Sequence, residues 1–391
     1  MRRFPTFLEF KRESRSEGVM KITEPNASII TTITRATAVT LAVFLGACSD
    51  GNDHHEQQAA VPFQELVDQG VTRYLGVYSP SGTTQAGNVI NYQFGAGAGP
   101  LCLTGKPYTM ATLDEGTEDL VIFLEGGGAC WFDFCAATSE ASQGIPAHSI
   151  FQPGNPLAGI STVYLPYCDG GIFASDADVD TDNDGAADRF HRGLHNLSAG
   201  LDVAVRAFPA PRRIVLVGVS GGGYGTLFAL PLVRQLYPGV PIDVLNDSGI
   251  GINRPNDPDW NAQIYEYWNI GSFFPASCAE CVVQGSPTGI INWELAQDPD
   301  VRLGMLSYSQ DATISTFYLG IGGAAFENLL RTTLADVEAA NSSRMHSFVR
   351  AGDTHTFLES DLSISVEGVS VAGWVNDMLF GADEDWRSVS E

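Results

Sequence analysis

Residues 213–229 read RIVLVGVSGGGYGTLFA, and this stretch decides the fold. Ile214 to Val219 is a short β-branched apolar run, the pattern of a strand buried on both faces. Ser220 follows at once, then Gly221, Gly222 and Gly223, then a helical pattern to about Gln235. Gly218-Val219-Ser220-Gly221-Gly222 is therefore G-x-S-x-G between a strand and a helix. A serine nucleophile needs that setting. The tight turn lifts its hydroxyl clear of the sheet, and side chains two residues either side would clash. The helix that follows points its unpaired N–H groups at the place where an oxyanion forms.

Outward from that turn the chain alternates strand and helix. Asp119 to Leu124, Ser161 to Pro166, Ile242 to Leu245, Val301 to Tyr308 and Ser347 to Arg350 read as further strands. Leu194 to Phe208, Phe326 to Ala339 and Val369 to Phe380 read as helices, with Leu197, Leu201, Val205 and Phe208 forming a core stripe. Alternation of this kind predicts an α/β fold with a mostly parallel central sheet and helices on both faces. Short antiparallel strands are expected at Arg73–Val77 and Val89–Phe94. Trp260, Tyr265, Tyr267, Trp268, Phe273, Phe274 and Trp293 form an aromatic-rich insertion expected over the C-terminal edge of the sheet. They serve there as a lining for the cleft or as a small core of the insertion.

The chain has 391 residues, 44% hydrophobic, with 46 acidic against 21 basic residues and a formal net charge of −25. A phosphate backbone needs a basic face, so this balance argues against nucleic acid as a partner. Residues 1–47 read as a signal peptide, with Met20 as an alternative start. Ala36 to Leu45 is its short apolar run, too short to cross a bilayer. Leu45-Gly46-Ala47-Cys48 resembles a bacterial lipobox, so Cys48 is expected to carry lipid and hold an exported protein to the cell envelope. Residues 48–61 read as a flexible tether that includes His54-His55. Residues 62–391 read as one domain.

Cys102, Cys130, Cys135, Cys168, Cys278 and Cys281 remain, an even number that suggests disulfides in an exported protein. The spacing leaves their connectivity open. Cys278-Ala279-Glu280-Cys281 has no second ligand pair nearby, which weighs against zinc.

Glu125 to Cys130, EGGGAC, follows a strand. Its bare glycines can turn backbone N–H groups toward one point, so Gly127 and Gly128, with Gly221, are the expected oxyanion donors. Two histidines lie downstream of Ser220. His346 opens a strand and would be held in the sheet. His355, just past the last strand, is the better general base. Asp311, after the Val301–Tyr308 strand, is the preferred acid, with Asp247 as the alternative. No cofactor is expected in the chemistry.

These pieces resemble the pectin acetylesterase/Notum family of carboxylester hydrolases. The matching stretches are VIFLEGGGAC, VYLPYCDGG (163–171), FHRGLHNLSAGL (190–201), VGVSGGGYG, LNDSG, SYSQD and AGDTH, in order over roughly residues 65–380. The resemblance implies an α/β-hydrolase-like fold that removes O-acyl groups, such as acetyl esters of a polysaccharide. The family's nucleophile, acid and histidine fall on Ser220, Asp311 and His355. The family has Trp where this chain has Ala129, and Ala where it has Gly221, and Trp131 stands ready to replace the missing ring. A lipase-like or polyester-cleaving hydrolase and a catalytically silent binding protein on the same fold are the alternatives.

One loop stands apart. Residues 176–188 read DADVDTDNDGAAD. Asp180, Asp182, Asp184, Gly185 and Asp188 match the first nine positions of a calcium loop, in which alternate carboxylates converge on a hard cation. Position twelve is His191, not Glu, so the loop resembles thrombospondin or dockerin loops more than an EF-hand. One structural Ca²⁺ is expected.

Overall fold

The computed structural model describes residues 61–391 except 96, 98, 258, 285 and 286. The stretch read as a signal peptide, Cys48 and residues 48–60 of the expected tether lie outside the described residues. Ten strands form the main sheet. In chain order they are β1 Gly82–Ala86, β2 Val89–Gln93, β3 Thr109–Leu113, β4 Asp119–Leu124, β5 Ser161–Leu165, β6 Arg213–Val219, β7 Ile242–Asp247, β8 Val301–Tyr308, β9 Met345–Arg350 and β10 Val389–Ser390. Their order across the sheet is β1-β2-β3-β5-β4-β6-β7-β8-β9-β10. The pairs from β1 to β5 are antiparallel, and every pair from β5 to β10 is parallel.

The apolar runs explain the parallel half. Every residue of β4 and β7 is buried, and so is β6 after its first residue. Alternate residues feed two cores. Leu120, Ile122, Leu124, Ile214 and Leu216 pack on one face with α1 Gly193–Ala207 and α2 Gly221–Leu236. Val121, Phe123, Val215, Val217 and Val219 pack on the other with the helix Val371–Phe380. Each such side chain contributes about 1.5–3 kcal/mol by leaving water. Both faces are therefore covered, as a parallel sheet requires. The architecture is α/β-hydrolase-like.

Two details differ from the sequence reading. Arg73–Val77 is not a strand but a run of turns, with hydrogen bonds Arg73 N to Gly70 O, Leu75 N to Thr72 O and Val77 N to Tyr74 O. Side chains hold it there: Arg73 pairs with Asp176 at 2.6 Å, and Tyr74 stacks on His195 at 3.9 Å. The first strand is Gly82–Ala86 instead, exposed along its whole length, so no apolar alternation marks it.

The insertion after β7 carries the helices Asp259–Tyr267, Ala279–Gln284 and Pro287–Gln297. Tyr265, Trp268 and Phe273 are buried within its core. Among the described residues three disulfides are present: Cys102–Cys168, Cys130–Cys135 and Cys278–Cys281. Among the described residues no helix is long and apolar enough to cross a membrane.

Candidate active site

The sheet itself selects the place. After β4 the chain adds β5 on one side, then crosses to add β6 on the other. Ligands of open α/β sheets bind at such a switch point, beyond the carboxyl ends of the strands. The glycine loop leaves β4 there, and Ser220 leaves β6 beside it.

Ser220 has φ 56° and ψ −118°, a conformation an L-residue rarely adopts. Its N–H donates to Asp247 O at 2.8 Å. The turn leaves no room beside it. A Cβ at Gly218 would sit 2.0 Å from Gly222 O, and one at Gly222 would sit 2.1 Å from Leu124 O. The G-x-S-x-G glycines are thus a packing requirement.

Three chain segments then meet. His355 Nε2 lies 2.8 Å from Ser220 Oγ, and His355 Nδ1 lies 2.7 Å from Asp311 Oδ2. Asp311 is fully buried, and its other oxygen accepts the Thr313 and Ile314 N–H groups at 3.0 Å each. A carboxylate fixed on both oxygens holds the imidazole with its proton on Nδ1, leaving Nε2 free to accept from the serine. The two supporting loops are stitched together: Gln310 N donates to Gly352 O, and Ala312 N donates to Asp353 O.

Asp247, the alternative acid, is placed differently. Its Oδ2 accepts the Phe357 and Leu358 N–H groups at 2.7 and 2.9 Å, just past His355. It holds the histidine loop by its backbone. Burial pushes its carboxyl up to about 6. His346 lies in β9 with its ring edge-on to Trp386. A second histidine–aspartate pair, His195 with Asp176 at 2.8 Å, has Tyr78 OH on its other nitrogen and joins α1 to the N-terminal turns.

The glycine loop continues into a hairpin, Gly128–Trp131 with Phe134–Ala137, closed by Cys130–Cys135. Thr138 N donates to Gly127 O at 2.7 Å. That bond makes Gly128 and Ala137 a non-hydrogen-bonded pair, so the Gly128 N–H stays outside the ladder. Gly128 has φ +80°, and a Cβ there would meet Ala136 O at 1.9 Å. A Cβ on Gly221 would be 3.3 Å from Gly128 O, so these two backbones lie side by side. The Gly221 N–H is among the first of α2 and has no partner within the helix. At Gly127 a Cβ would strike the Tyr167 ring at 2.4 Å.

Two carboxyls here carry no role in the sequence reading. Glu125, between β4 and the glycines, is raised by burial and accepts Tyr167 N at 3.1 Å and Ser142 Oγ at 3.2 Å. Glu359 is pushed up to about 7 by burial, then by the charges of Glu125 and Asp247. A glutamate directly after a buried strand was the one available signal for Glu125.

A cleft of about 320 Å³ opens at Ser220. Gly128, Ala129, Trp131, Phe134 and Ala136 line it from the hairpin, and Ile314, Phe317 and Tyr318 from the wide turn Thr313–Tyr318. That turn closes with Leu319 N to Ile314 O, an i to i−5 bond of the kind found at functional sites. Trp131 occupies the wall. Trp260 and Trp268 stand behind it, at 5.6 and 6.5 Å between ring centres, so the insertion braces the cleft and does not line it. The sequence reading missed the Ile314–Tyr318 wall.

In the acidic loop, carboxylate oxygens of Asp180, Asp182 and Asp184 lie within 4.8 Å of one another. Hard oxygens so gathered could hold a divalent cation. Asp188 is not brought into that group. Its carboxylate accepts the Thr181 N–H at 3.1 Å and the Thr181 hydroxyl at 2.6 Å. His191, at position twelve, is buried with Nδ1 2.9 Å from Asp169 O.

A serine on a strand–helix elbow, a histidine on its hydroxyl and a buried aspartate behind the histidine are the parts of a Ser-His-Asp ester hydrolase. Comparison with known families narrows the class. A pectinacetylesterase family model matches residues 89–274, the family that the sequence motifs resemble, and the match supports an ester hydrolase. The matched span holds the glycine loop and Ser220 and ends before Asp311 and His355, so the acid and base rest on geometry. No curated protein matches the chain.

Proposed function

We propose that the protein removes acyl groups from carbohydrate esters by attack of Ser220. The single observation that carries this is the unbroken chain Ser220 Oγ–His355–Asp311, with contacts of 2.8 and 2.7 Å. His355 takes the hydroxyl proton as Ser220 Oγ bonds the acyl carbon. The Gly128 and Gly221 N–H groups, with Gly127 shaping the loop, hold the oxyanion. One such donor lowers the barrier by about 3 kcal/mol. His355 then protonates the departing alcohol, and water, activated by the same imidazole, frees the acid. Asp311 keeps the imidazole oriented throughout. The carbohydrate alcohol is taken from the family match.

The cleft favours a second reading of the acyl side. Ser220 and Thr313 are its only aliphatic hydroxyls, and none of its lining residues is charged. An acetyl group fills little of such a space, whereas a longer aliphatic acyl group or a polyester segment would use it. In the acidic loop we propose one structural Ca²⁺ on Asp180, Asp182 and Asp184, with Asp188 swinging in from Thr181.

Hydrolysis of p-nitrophenyl acetate by wild type and by Ser220→Ala tests the chemistry. Loss of about 10³-fold or more in kcat is expected. Equal rates for the two would end the reading. A series of p-nitrophenyl esters of rising chain length and an acetylated xylan would rank the two substrate readings.

A further inference from the structure

Phe132 is oddly placed for an ordinary hairpin residue. It sits at the tip between Trp131 and Phe134, with φ +44°, and the residue is 46% exposed. Two-residue hairpin tips normally use glycine, asparagine or aspartate, because a Cβ is disfavoured at positive φ. Here a large apolar ring takes the position and faces water. The local sequence works against both its backbone and its solvation, and such conflicts concentrate at functional sites.

Its neighbours extend the pattern. The large hydrophobic residues exposed among the described residues are Val61, Val77, Phe132, Phe134, Phe317 and Phe380. Phe134 and Phe317 line the Ser220 cleft from its two walls, and Phe132 is at the tip of the hairpin that carries Phe134. Two of the six therefore stand at one mouth, with a third at the tip of the same hairpin, against Tyr267. The hairpin beneath is pinned by Cys130–Cys135 and by the Trp268 indole N–H, which donates to Cys130 O at 2.6 Å. Phe132 leans on Tyr267 at 5.0 Å, and its carbonyl accepts Arg189 Nη1 at 2.8 Å. The ring is thus held out on a stiff support.

We propose that Phe132, Phe134 and Phe317 dock the enzyme on the surface of a water-insoluble, uncharged aliphatic ester, so that esters leave that surface directly into the cleft. The proposal rests on the Ser220 ester-hydrolase reading, though not on which alcohol carries the ester. Three features select this occupant. Phe134 and Phe317 are both exposed at the rim and part of the cleft lining, so the apolar rim is continuous with the apolar cleft at Ser220. Asp133 sits exposed between the two hairpin phenylalanines, and the chain carries a net charge of −25, which together disfavour an anionic surface. The rim rings are all phenylalanine, with no hydroxyl or indole N–H of their own to bond sugar hydroxyls, which favours an aliphatic surface over a glycan.

Phe132 does not line the cleft, and Asn tolerates its backbone conformation better than Phe does. Phe132→Asn should therefore fold and hydrolyse dissolved p-nitrophenyl acetate at the wild-type rate. Tributyrin is then titrated through its solubility limit. Wild type should show a jump in rate as droplets form, and Phe132→Asn should lose about ten-fold of the droplet rate. Phe132→Leu, still apolar, should recover most of it. Sedimentation with droplets, using Ser220→Ala and Ser220→Ala/Phe132→Asn, reads adsorption without turnover. A smooth rate curve in wild type, or equal adsorption by these two proteins, overturns the proposal. So does Phe132-dependent binding to insoluble acetylated xylan in place of droplets. Loss of p-nitrophenyl acetate hydrolysis in wild type would strike the ester-hydrolase reading instead, and adsorption would still decide the docking surface.

Discussion

The carboxyls around His355 do different work from one another, and their sequence context shows little of it. Asp311 touches the imidazole, Asp247 holds the Phe357–Leu358 backbone, and Glu359 lies among Glu125, Asp247 and His355. Folding raises the last of these to about 7 from an unfolded value of about 4.3. A carboxyl raised by folding binds its proton more tightly in the folded state. Its contribution is greatest below the unfolded pKa and is lost as pH climbs to the folded value. Stability should therefore decline from about pH 4 to pH 7, with Asp247, raised to about 6, adding to the lower part of the fall. Glu359→Gln should flatten the upper part. Urea unfolding midpoints at half-unit pH steps would show it, and parallel curves for the two proteins would mean Glu359 is not the group. Sequence reasoning chose between Asp247 and Asp311 by loop position and by the family resemblance. What separates them is which loop each carboxylate faces, and that depends on tertiary packing.

At the scale of elements, what could be read in the sequence follows burial. β4, β6 and β7 are buried on both faces, so their apolar runs announce them. β1 is exposed throughout and carries no such mark. The Thr313–Tyr318 turn was equally hidden, because Asp311 caps it through Thr313 and Ile314 and not through any periodic pattern. The glycine loop was legible as a glycine loop, yet its hairpin was not, since the pairing of Gly128–Trp131 with Phe134–Ala137 depends on Cys130–Cys135 and Trp268. This hairpin sets both the Gly128 N–H and the Trp131 wall. Cys130→Ala/Cys135→Ala should lower stability by about 2 kcal/mol through the freed unfolded chain. It should also lower kcat for p-nitrophenyl butyrate by about ten-fold, as one oxyanion donor loosens. A double variant that melts lower but keeps its kcat would show that register and the indole bond suffice to hold Gly128.

Across the whole molecule the charge balance opposes the fold. Basic residues number 21 and acidic ones 46, giving −25. Some acids are neutralised in place: Arg234–Asp298 is a buried pair at 2.5 Å, Arg213–Asp119 closes the start of β6 at 2.5 Å, and Arg302 meets Asp243 at 2.8 Å. These partly or fully buried pairs are poorly screened by salt. The unpaired acids repel one another through water, and that repulsion is screened. Asp180, Asp182 and Asp184 are its densest local case, three carboxylates within 4.8 Å. Screening should therefore stabilise more than it weakens. Between 20 and 500 mM NaCl, with chelator present, the melting temperature should rise by about 2–4 °C. Adding millimolar CaCl₂ at low salt should raise it further than the same concentration of MgCl₂, because Mg²⁺ gives up its water reluctantly and demands stricter geometry. A melting temperature that falls with NaCl would mean that local ion pairs outweigh the global repulsion. Equal curves for the two divalent ions would reduce the aspartate loop to an unspecific acidic surface.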